Sequence, residues 1–559
     1  MRTISRRRLL GLGAVAGGLS LAACTVPAPP DPPRVPPSPF QTRQVWAHLV
    51  PYGLPDYVEP GSPPYGAAFP LDLVSGDHAA PARPSSGLAR LLEAGFTALQ
   101  VLILESAGSS GSDFVLDWIA EADRTWTPGR SRDRFIVAPC IAPTTPQGFV
   151  RMVRQYTAAA QSHPAAARVQ DKLVVFTFAP RELSATDWTS IRAQLAEDSP
   201  GIFLIGDLQP DSSQTGGRLL EAPLRPYLSS LDATWVFDDH LLEIWPSMVP
   251  FVARNGLPLV GSLMPGYNRE TSQGGLVDPG GTSRLRELWR RNLEAGIPWT
   301  VAITWNDVVE QTDIKPSSNW NHTRQDINRF YAERFRGIAR TVTSPRLYSS
   351  SVSHAWPGQA ARAEALVINP GDTPVDVTVG LVDATGKPVG NEVHAVVPPN
   401  SCGAATANVA VDAHVAQGRP TFLRPRSVAT IAGSLIAHVT GAPILLYLNA
   451  EQAGRDRQDW YSVPAHRAIE QPVGLTTAAG TGSATVASPA GRARFLDLLL
   501  NTREAGRAYD EARHTFAGRS VTPTIVGPQD VSAPSTGFLV GRVITNDERV
   551  GYSDPIWLD

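Results

Sequence analysis

Eight short apolar segments alternate with helix-like segments between residues 45 and 340, and this alternation limits the possible fold more than any other feature of the chain. The segments are rich in β-branched residues, as expected for parallel strands that helices cover on both faces. They are Val45 to Val50, Ala98 to Leu104, Phe135 to Ala138, Leu173 to Phe178, Ile202 to Ile205, Thr234 to Phe237, Leu257 to Leu263 and Thr300 to Thr304. Eight such units without a phosphate-binding glycine fingerprint favour a closed (β/α)8 barrel of the TIM type over an open doubly wound sheet. We place this barrel at residues 43–341.

Helical periodicity between the strands supports the same fold. Before the last strand, Leu285, Leu288 and Leu293 form one apolar stripe, and Gly296 ends the helix. The arginines outside the stripe are expected to stay in water, and they are Arg284, Arg286, Arg290 and Arg291.

From about Arg346 the helical stripes mostly disappear, and short alternating strands replace them. Val375 to Leu381 alternates before the turn at Asp383 to Gly386, which is typical of a β-sandwich. Leu435 to Asn449 and Thr536 to Ile544 are further candidate strands, whereas Arg492 to Arg503 fits either helix or strand. We predict a β-sandwich at residues 346–465 and a second β-rich domain, or a continuation of the sandwich, at 466–559. These domains either bind glycan or act as rigid spacers.

The N-terminal segment has the features of an export signal. Arg6-Arg7-Arg8 is followed by an apolar stretch shorter than the roughly 20 residues of a spanning helix, and then by Leu21-Ala22-Ala23-Cys24. This pattern predicts a twin-arginine lipoprotein signal peptide at 1–24 and lipidation of Cys24, with an ordinary cleaved signal as the alternative. Prolines then mark a semi-rigid linker at 25–42. We expect a bacterial protein exported by the Tat pathway, held at the cell membrane facing outside or secreted.

Composition excludes several functions. A formal net charge of -3 leaves no electrostatic footprint for nucleic acid. Zinc spacings and nucleotide-binding motifs do not occur, so neither a metal nor another cofactor is expected. Cys140 and Cys402 fall in different predicted domains, where two free cysteines are favoured over a disulfide. The expected partners are a polysaccharide and, through the lipid anchor, a membrane; we expect a monomer.

The eighth predicted strand leads into a segment with two carboxylates, Asp307 and Glu310. In a barrel of this type, residues just past the C-terminal end of a strand point into the active site. Two carboxyl groups in one cleft can be driven to different pKa values, which is what cleavage of a glycosidic bond requires. A polar turn that solvates both charges is the alternative interpretation.

Other strand ends carry further candidates. Glu105 directly follows the second strand, and Asp113 competes with it unless Asp113 only caps a helix. His48 ends the first strand and could bind a sugar hydroxyl or be a core residue. Candidates for binding sugar hydroxyls and for an aromatic platform follow strands five, six and seven, and they are Asp207, Asp238, Asp239, His240 and Tyr267.

The segment Trp305-Asn306-Asp307-x-x-Glu310 resembles the W-N-D-Y-G-E-S motif of glycoside hydrolase family 71, the endo-α-1,3-glucanases. Val45 to Leu49 is similar to the first strand of that family. The resemblance spans about residues 43 to 340 and implies an inverting hydrolase acting on α-1,3-glucan or a related α-glucan. It implies catalytic roles for Asp307 and Glu310 and for an acid near the second strand, for which Glu105 is the candidate. Trp305, Asn306, His48 and Tyr267 would bind substrate.

Two other interpretations remain open. Trp305 to Ser317 also resembles the W-N-E-W-x-E-G-T-x-I-E-P-S segment of family 99 endo-α-mannosidases, although Asp307 and Lys315 replace glutamates of that motif. This resemblance implies a retaining hydrolase of α-mannan. The departures from the family 71 motif at Val308, Val309 and Gln311 instead suggest a non-catalytic, glycan-binding envelope lipoprotein.

Overall fold

A computed structural model describes residues 38–558 apart from several internal gaps. The gaps are 52–68, 73–83, 106–108, 127–133, 199–200, 211, 269–275, 412–418, 454–456, 479–482, 492, 510–511 and 517–536. The predicted signal peptide with Cys24, and most of the predicted linker, lie outside the described residues.

Eight parallel strands form the predicted barrel. They are β1 Gln44–Leu49, β2 Ala98–Leu104, β3 Ile136–Ala142, β4 Lys172–Thr177, β5 Ile202–Asp207, β6 Ala233–Trp235, β7 Gly261–Leu263 and β8 Trp299–Ala302. Their order in the sheet is β6-β5-β4-β3-β2-β1-β8-β7, and a two-residue strand, Arg168–Val169, pairs antiparallel with β4. Beside β7, the Thr234 N–H donates to the Pro258 carbonyl at 3.0 Å, and the Val260 N–H donates to the Thr234 carbonyl at 2.7 Å. These bonds bring β6 to β7 and nearly close the barrel, so the predicted fold class is confirmed.

A helix follows each strand of the barrel. The helices are α1 Pro84–Glu93, α2 Ser109–Thr125, α3 Pro146–Ala160, α4 Ala185–Ala196, α5 Arg225–Leu228, α6 Leu241–Arg254, α7 Ser283–Glu294 and α8 Thr323–Arg336. Short 3₁₀ turns lie at Pro180–Glu182 and Ser212–Thr215. Among the described residues, none of the helices combines the length and apolar character needed to cross a bilayer.

The apolar stripe of α7 packs into the barrel core as predicted, with Leu285 and Leu288 buried. The prediction that Arg284 stays in water is wrong, because this residue is 5% exposed. Its two terminal nitrogens donate to the Glu243 carboxylate of α6 at 2.8 and 2.7 Å, and this ion pair accounts for a buried guanidinium.

The region after the barrel is built from strands that pair antiparallel, except that His354–Ala355 pairs parallel with Ile444–Leu446. They are β9 Arg346–Val352, β10 His354–Ala355, β11 Ala360–Asn369, β12 Val375–Asp383, β13 Pro388–Val397, β14 Ser401–Ala410, β15 Thr421–Ile431, β16 Ser434–Thr440, β17 Ile444–Leu446, β18 Trp460–Pro464, β19 Gly474–Ala478, β20 Ser483–Ala487, β21 Ala493–Leu500, β22 Arg503–Tyr509, β23 Arg513–Phe516, β24 Gly537–Thr545, β25 Val550–Tyr552 and β26 Ile556–Leu558. A short helix, α9 Ala450–Ala453, and a 3₁₀ turn, Ala465–Arg467, connect them.

These strands form four sheets. The order β14-β11-β9-β18 makes one sheet, and β10-β17-β15-β12-β13 with β16 beside β15 makes a second. Both sheets contribute to one apolar core, as the sandwich pattern predicts. The remaining strands form the sheets β19-β20-β23 and β22-β21-β24-β25, with β26 beside β24. The segment Arg492 to Arg503, whose sequence fits either helix or strand, contains strand β21. The segment Leu435 to Asn449 contains parts of two strands, β16 and β17, rather than one.

We call the strands that follow the barrel, in residues 346–558, the β-region. Buried polar contacts join the barrel to it. The Glu364 carboxylate of β11 accepts hydrogen bonds from the Thr282 N–H at 2.9 Å and the Thr282 hydroxyl at 2.7 Å, at the start of α7. Further along, the Arg507 guanidinium lies 3.5 Å from the ring centroid of Phe69, a residue of the β1–α1 connection. The β-sheets are thus attached to the barrel at defined points.

A buried ion triad joins three neighbouring strands of the sheet β22-β21-β24-β25. The Asp497 carboxylate is fully buried and accepts hydrogen bonds from the Arg507 Nε at 2.7 Å and the Arg542 Nε at 2.8 Å. The negative charge of Asp497 is needed to balance the two buried guanidinium groups that face it.

Replacing this carboxylate should strongly destabilise the protein. Asp497→Ala leaves Arg507 and Arg542 buried without their shared anion, and we expect a loss of about 3 to 5 kcal/mol. Thermal denaturation would measure it, with Asp547→Ala as the control because the Asp547–Arg549 pair is more than half exposed, at 63% and 52%. Equal effects of the two substitutions would contradict a stabilising role for the triad.

Candidate active site

Hydrogen bonds close the segment after β8 into a defined loop. The Thr304 N–H donates to the Thr312 carbonyl at 3.0 Å, the Ile314 N–H donates to the Thr304 carbonyl at 3.1 Å, and the two threonine hydroxyls lie 3.0 Å apart. The Thr304 hydroxyl also accepts a hydrogen bond from the Asp307 N–H at 2.8 Å. We call residues 304–314 the acid loop; its base is fixed to the end of β8.

The two predicted catalytic carboxylates lie on one turn of the acid loop. The Glu310 N–H donates to Oδ1 of Asp307 at 2.9 Å. Asp307 is 6% exposed and Glu310 is half-buried, so the turn presents one sheltered carboxyl group and one more open group. Both lie past the C-terminal end of a barrel strand, where barrel enzymes carry out their chemistry.

Tyr267 contacts Glu310 from the loop after β7. Its phenol donates to Oε1 of Glu310 at 3.2 Å. Paired backbone hydrogen bonds with Val277, at 3.0 and 2.9 Å, hold Tyr267 in place. The structure therefore brings Asp307, Glu310 and Tyr267 together.

The side chains of Trp305 and Asn306 pack and form hydrogen bonds within the barrel. The Trp305 ring is 1% exposed and packs edge-on against Phe96, with the ring centroids 5.5 Å apart. The Asn306 side chain makes two hydrogen bonds with the backbone of Val50, accepting from its N–H at 3.0 Å and donating to its carbonyl at 2.7 Å. A sugar-stacking role needs an exposed ring face, so the ring of Trp305 serves the core, and Asn306 joins the acid loop to the end of β1.

Glu105 is held at the start of α3. Its carboxylate accepts hydrogen bonds from the Thr144 N–H at 2.6 Å, the Thr145 N–H at 2.8 Å and the Thr145 hydroxyl at 2.6 Å. Burial raises the pKa of this carboxyl group, but these hydrogen bonds outweigh burial and lower the pKa below its ordinary value. The contacts hold Glu105 against Thr144 and Thr145, the two residues before α3, and Thr145 itself is the N-cap of that helix. Its competitor Asp113 lies within α2 and is exposed.

Asp207 and Asp238 are buried carboxyl groups at neighbouring strand ends. Oδ1 of Asp207 accepts hydrogen bonds from the Phe237 N–H at 2.9 Å and the Gln209 N–H at 3.0 Å. Burial raises the pKa of Asp207 to about 7, and the charge of Asp238 adds to the increase. Burial also raises the pKa of Asp238, which accepts hydrogen bonds from the N–H and hydroxyl of Ser212. The C-terminal rim of the barrel thus contains a carboxyl group able to hold a proton near neutral pH.

Asp239 and His240 follow at the start of α6. Both are half-buried, and the Asp239 carbonyl accepts a hydrogen bond from Arg284 at 2.7 Å. Nδ1 of His240 lies 3.9 Å from the Glu243 carboxylate.

His48 belongs to the barrel interior. It is 1% exposed, and its ring centroid lies 5.7 Å from that of Trp235 and 5.6 Å from that of Phe237. Burial lowers the pKa of His48 to about 3, so its imidazole is neutral at physiological pH. Its Nδ1 has no hydrogen-bond partner among the described residues.

Two residues that sequence reasoning missed support the acid loop. Nη1 of Arg324 in α8 donates to the carbonyls of Gln311 at 2.7 Å and Asp313 at 2.9 Å. Asp459, which directly precedes β18, accepts a hydrogen bond from the Gln311 side chain at 2.8 Å. A helical pattern marks Arg324 only as a surface residue, and no local signal links Asp459 to the loop.

A cavity in the described part of the chain lies elsewhere. Its volume is about 510 Å³, and residues of the β-region such as Arg424, Glu470 and Tyr552 line it. It includes none of the predicted site residues. Among the described residues, no group of three histidine, cysteine, aspartate or glutamate side chains is placed to hold a metal ion. Cys140 and Cys402 are free thiols.

Fold and site together define a (β/α)8-barrel protein with acidic side chains at its C-terminal rim. No model of a known protein family matches the chain, and no curated protein matches it. Among solved structures, the chain is similar to the GH99 endo-alpha-mannosidase from Bacteroides thetaiotaomicron, with 15% identity over 53% of this chain and 98% of that one and a TM-score of 0.39. It is also similar to the beta-glucuronidase of Bacteroides uniformis, with 9% identity over 93% and 65% of the chains and a TM-score of 0.37. Similarities this distant assign neither a family nor an activity.

The high pKa of Asp207 predicts a pH-dependent stability difference. Unfolding returns its pKa to about 3.9, so the folded state binds the extra proton and stability falls as pH rises from about 4 to about 7. Asp207→Asn keeps the acceptor oxygen but cannot ionise. We therefore expect the variant to match wild type near pH 4 and to be more stable by about 2 to 4 kcal/mol at pH 8. Thermal denaturation across this range measures the difference, and a pH-independent difference would contradict the raised pKa.

Proposed function

We propose that this protein is a glycoside hydrolase whose acid–base chemistry is carried by Asp307 and Glu310. The observation that carries the proposal is the turn that joins these two carboxylates past the end of β8, with the Tyr267 phenol 3.2 Å from Glu310. One carboxyl group protonates the glycosidic oxygen, and the other activates water or attacks the sugar.

The different surroundings of the two groups suit a division of labour. Asp307 is buried and its carboxylate is held by the Glu310 N–H, whereas Glu310 is more open and accepts a hydrogen bond from Tyr267. Two carboxyl groups in different surroundings can take different roles in one reaction. The carboxyl groups of Asp207 and Asp238, which are 2% and 7% exposed, add buried acidic groups to the same rim.

For the substrate, we propose α-1,3-glucan or a related α-glucan, cleaved with inversion. The support is the similarity of Trp305 to Glu310 to the family 71 motif. A second candidate is α-mannan cleaved with retention, which the longer match of Trp305 to Ser317 to the family 99 segment favours.

Conservative substitution of either carboxylate should strongly slow hydrolysis. Asp307→Asn and Glu310→Gln keep the size of the side chain but remove its acid–base capacity, so we expect rates to fall about 10²- to 10⁴-fold. The measurement is reducing-sugar release from α-1,3-glucan, α-1,4-glucan and α-mannan. Glu294→Gln in α7 is the matched control, because that carboxylate is 59% exposed and pairs only at the surface with Arg290.

The outcomes separate the alternatives. Activity on α-1,3-glucan that both substitutions remove supports the glucanase, while activity on mannan alone supports the mannanase. NMR of the first anomer released distinguishes inversion from retention. A folded protein that cleaves none of the three substrates would overturn hydrolysis of these glycans and favour a non-catalytic glycan-binding role.

We also propose that the protein is exported by the Tat pathway and anchored through a lipid on Cys24. The support is the sequence Leu21-Ala22-Ala23-Cys24 after a twin-arginine segment.

Removing the acceptor thiol should release the protein from the membrane. Cys24→Ser cannot carry a thioether-linked lipid, so we expect the protein to move from the detergent phase to the aqueous phase on Triton X-114 partitioning. Radiolabelled palmitate should label wild type and not the variant. Labelling of both proteins to the same extent would rule out Cys24 as the attachment site.

A further inference from the structure

A carboxylate of the β-sandwich reaches the acid loop. Asp459 directly precedes β18 and is 1% exposed. Its Oδ1 accepts hydrogen bonds from the Asn268 side-chain amide at 2.9 Å and the Gln311 side-chain amide at 2.8 Å. Asn268 lies on the loop after β7 and Gln311 on the loop after β8. A single oxygen of the sandwich therefore connects the two loops that carry the proposed site.

Asn268 and Gln311, the two residues that donate to Asp459, both lie next to Glu310. The Asn268 N–H donates to the Glu310 carbonyl at 2.9 Å, and Asn268 directly follows Tyr267, whose phenol contacts the Glu310 carboxylate. Gln311 directly follows Glu310 and has a φ of 54°, in the left-handed region that residues other than glycine rarely adopt. Such a conformation persists only where its surroundings hold it. The two side-chain amides that donate to Asp459 thus hold a residue that follows Glu310 in the chain and a residue that is hydrogen-bonded to it from the neighbouring loop.

Asp459 is itself fixed by the sandwich. Its N–H donates to the Ser353 hydroxyl at 3.1 Å, and its carbonyl accepts the Ser353 N–H at 2.8 Å. The next residue, Trp460, donates from its indole nitrogen to Asp278 of the β7–α7 loop at 3.0 Å. The anchor of the acid loop is therefore part of a sheet edge rather than a free loop.

We propose that Asp459 is a positioning residue, through which the β-sandwich sets the geometry of Glu310 and Tyr267. The sandwich would thus complete the active site rather than act only as a spacer. This inference rests on the proposed function, because it assigns Glu310 to the reaction. Loss of the shared acceptor would leave two buried amides without their partner and free the loop to shift. A displacement of about 1 Å at a reacting group can lower the rate about 10²-fold.

Glu364 offers a matched control in the same sandwich. It is equally buried, at 1% exposure, and it also accepts hydrogen bonds from the barrel. Its partners are Thr282, which directly precedes α7, and Arg286 of α7. Asp459→Ala and Glu364→Ala each remove one interface carboxylate, and only Asp459→Ala removes contacts to the acid loop. Asp459→Asn retains an oxygen that can accept both amides and serves as the conservative variant.

Hydrogen exchange of the full-length protein tests the positioning without requiring activity. We expect peptides covering residues 304–314 and 264–268 to exchange at least several-fold faster in Asp459→Ala than in wild type, while Asp459→Asn stays close to wild type. In Glu364→Ala, faster exchange should be confined to the start of α7. Acid-loop exchange in Asp459→Ala that is no faster than in Glu364→Ala would overturn the proposal.

Kinetics on the substrate that wild type cleaves test the consequence. We expect Asp459→Ala to lower kcat about 10- to 100-fold with KM changed less than about 3-fold, and Asp459→Asn to recover most of the rate. An unchanged kcat, or an equal loss in Glu364→Ala, would overturn the role in catalysis. If wild type cleaves no glycan, the proposed function fails, and the exchange experiment still decides whether Asp459 positions the loop.

Discussion

The hydrogen bonds between Thr304 and Thr312 are the constraint on which the candidate site depends. They close the acid loop at its base, where β8 ends, and the Thr304 hydroxyl also receives the Asp307 N–H. The position of Asp307 then fixes Glu310, because the Glu310 N–H is bound to the Asp307 carboxylate. A rigid strand thus determines where both acids lie, which is the kind of support that precise catalytic geometry requires.

Buried carboxylates join the barrel to the β-region. Glu364 accepts hydrogen bonds at the start of α7, and Asp459 accepts them from the loops after β7 and β8. Asp497 neutralises the arginines that pack on Phe69 of the barrel. A buried charged group that loses its partner raises the free energy of the folded protein. Such a contact therefore favours one orientation of the barrel and the β-region more strongly than an apolar contact does. This explains how a sandwich can control a loop that belongs to the barrel.

Periodicity was sufficient to predict the fold. The segment Ala98 to Leu104 is a barrel strand with the bounds predicted, and the change of pattern near Arg346 marks the first strand after the barrel. Buried parallel strands have a distinctive composition because helices cover both faces. Arg492 to Arg503 was ambiguous, since an apolar run of that length fits either element until its pairing with β24 is known.

The site was less accessible to sequence reasoning because side-chain direction depends on tertiary contacts. Trp305 and Asn306 stand in the motif, yet their side chains contact Phe96 and Val50. Glu105 follows a strand as a catalytic acid would, yet the start of α3 binds it. Asp459 lies 148 residues beyond Gln311, its partner, in a segment without any local sign of function. Within a short loop, such as the one that holds Asp307 and Glu310, spacing along the chain predicts which residues can meet. Over longer separations it does not.

A crystal structure of Glu310→Gln with a bound oligosaccharide would show whether the acid loop is the active site. We predict a sugar ring at the C-terminal rim of the barrel, with the glycosidic oxygen within hydrogen-bond reach of Asp307 or residue 310 and with Tyr267 beside it. An oligosaccharide bound only to the β-region, for instance in the cavity near Arg424, with the acid loop empty, would contradict a catalytic role for Asp307 and Glu310.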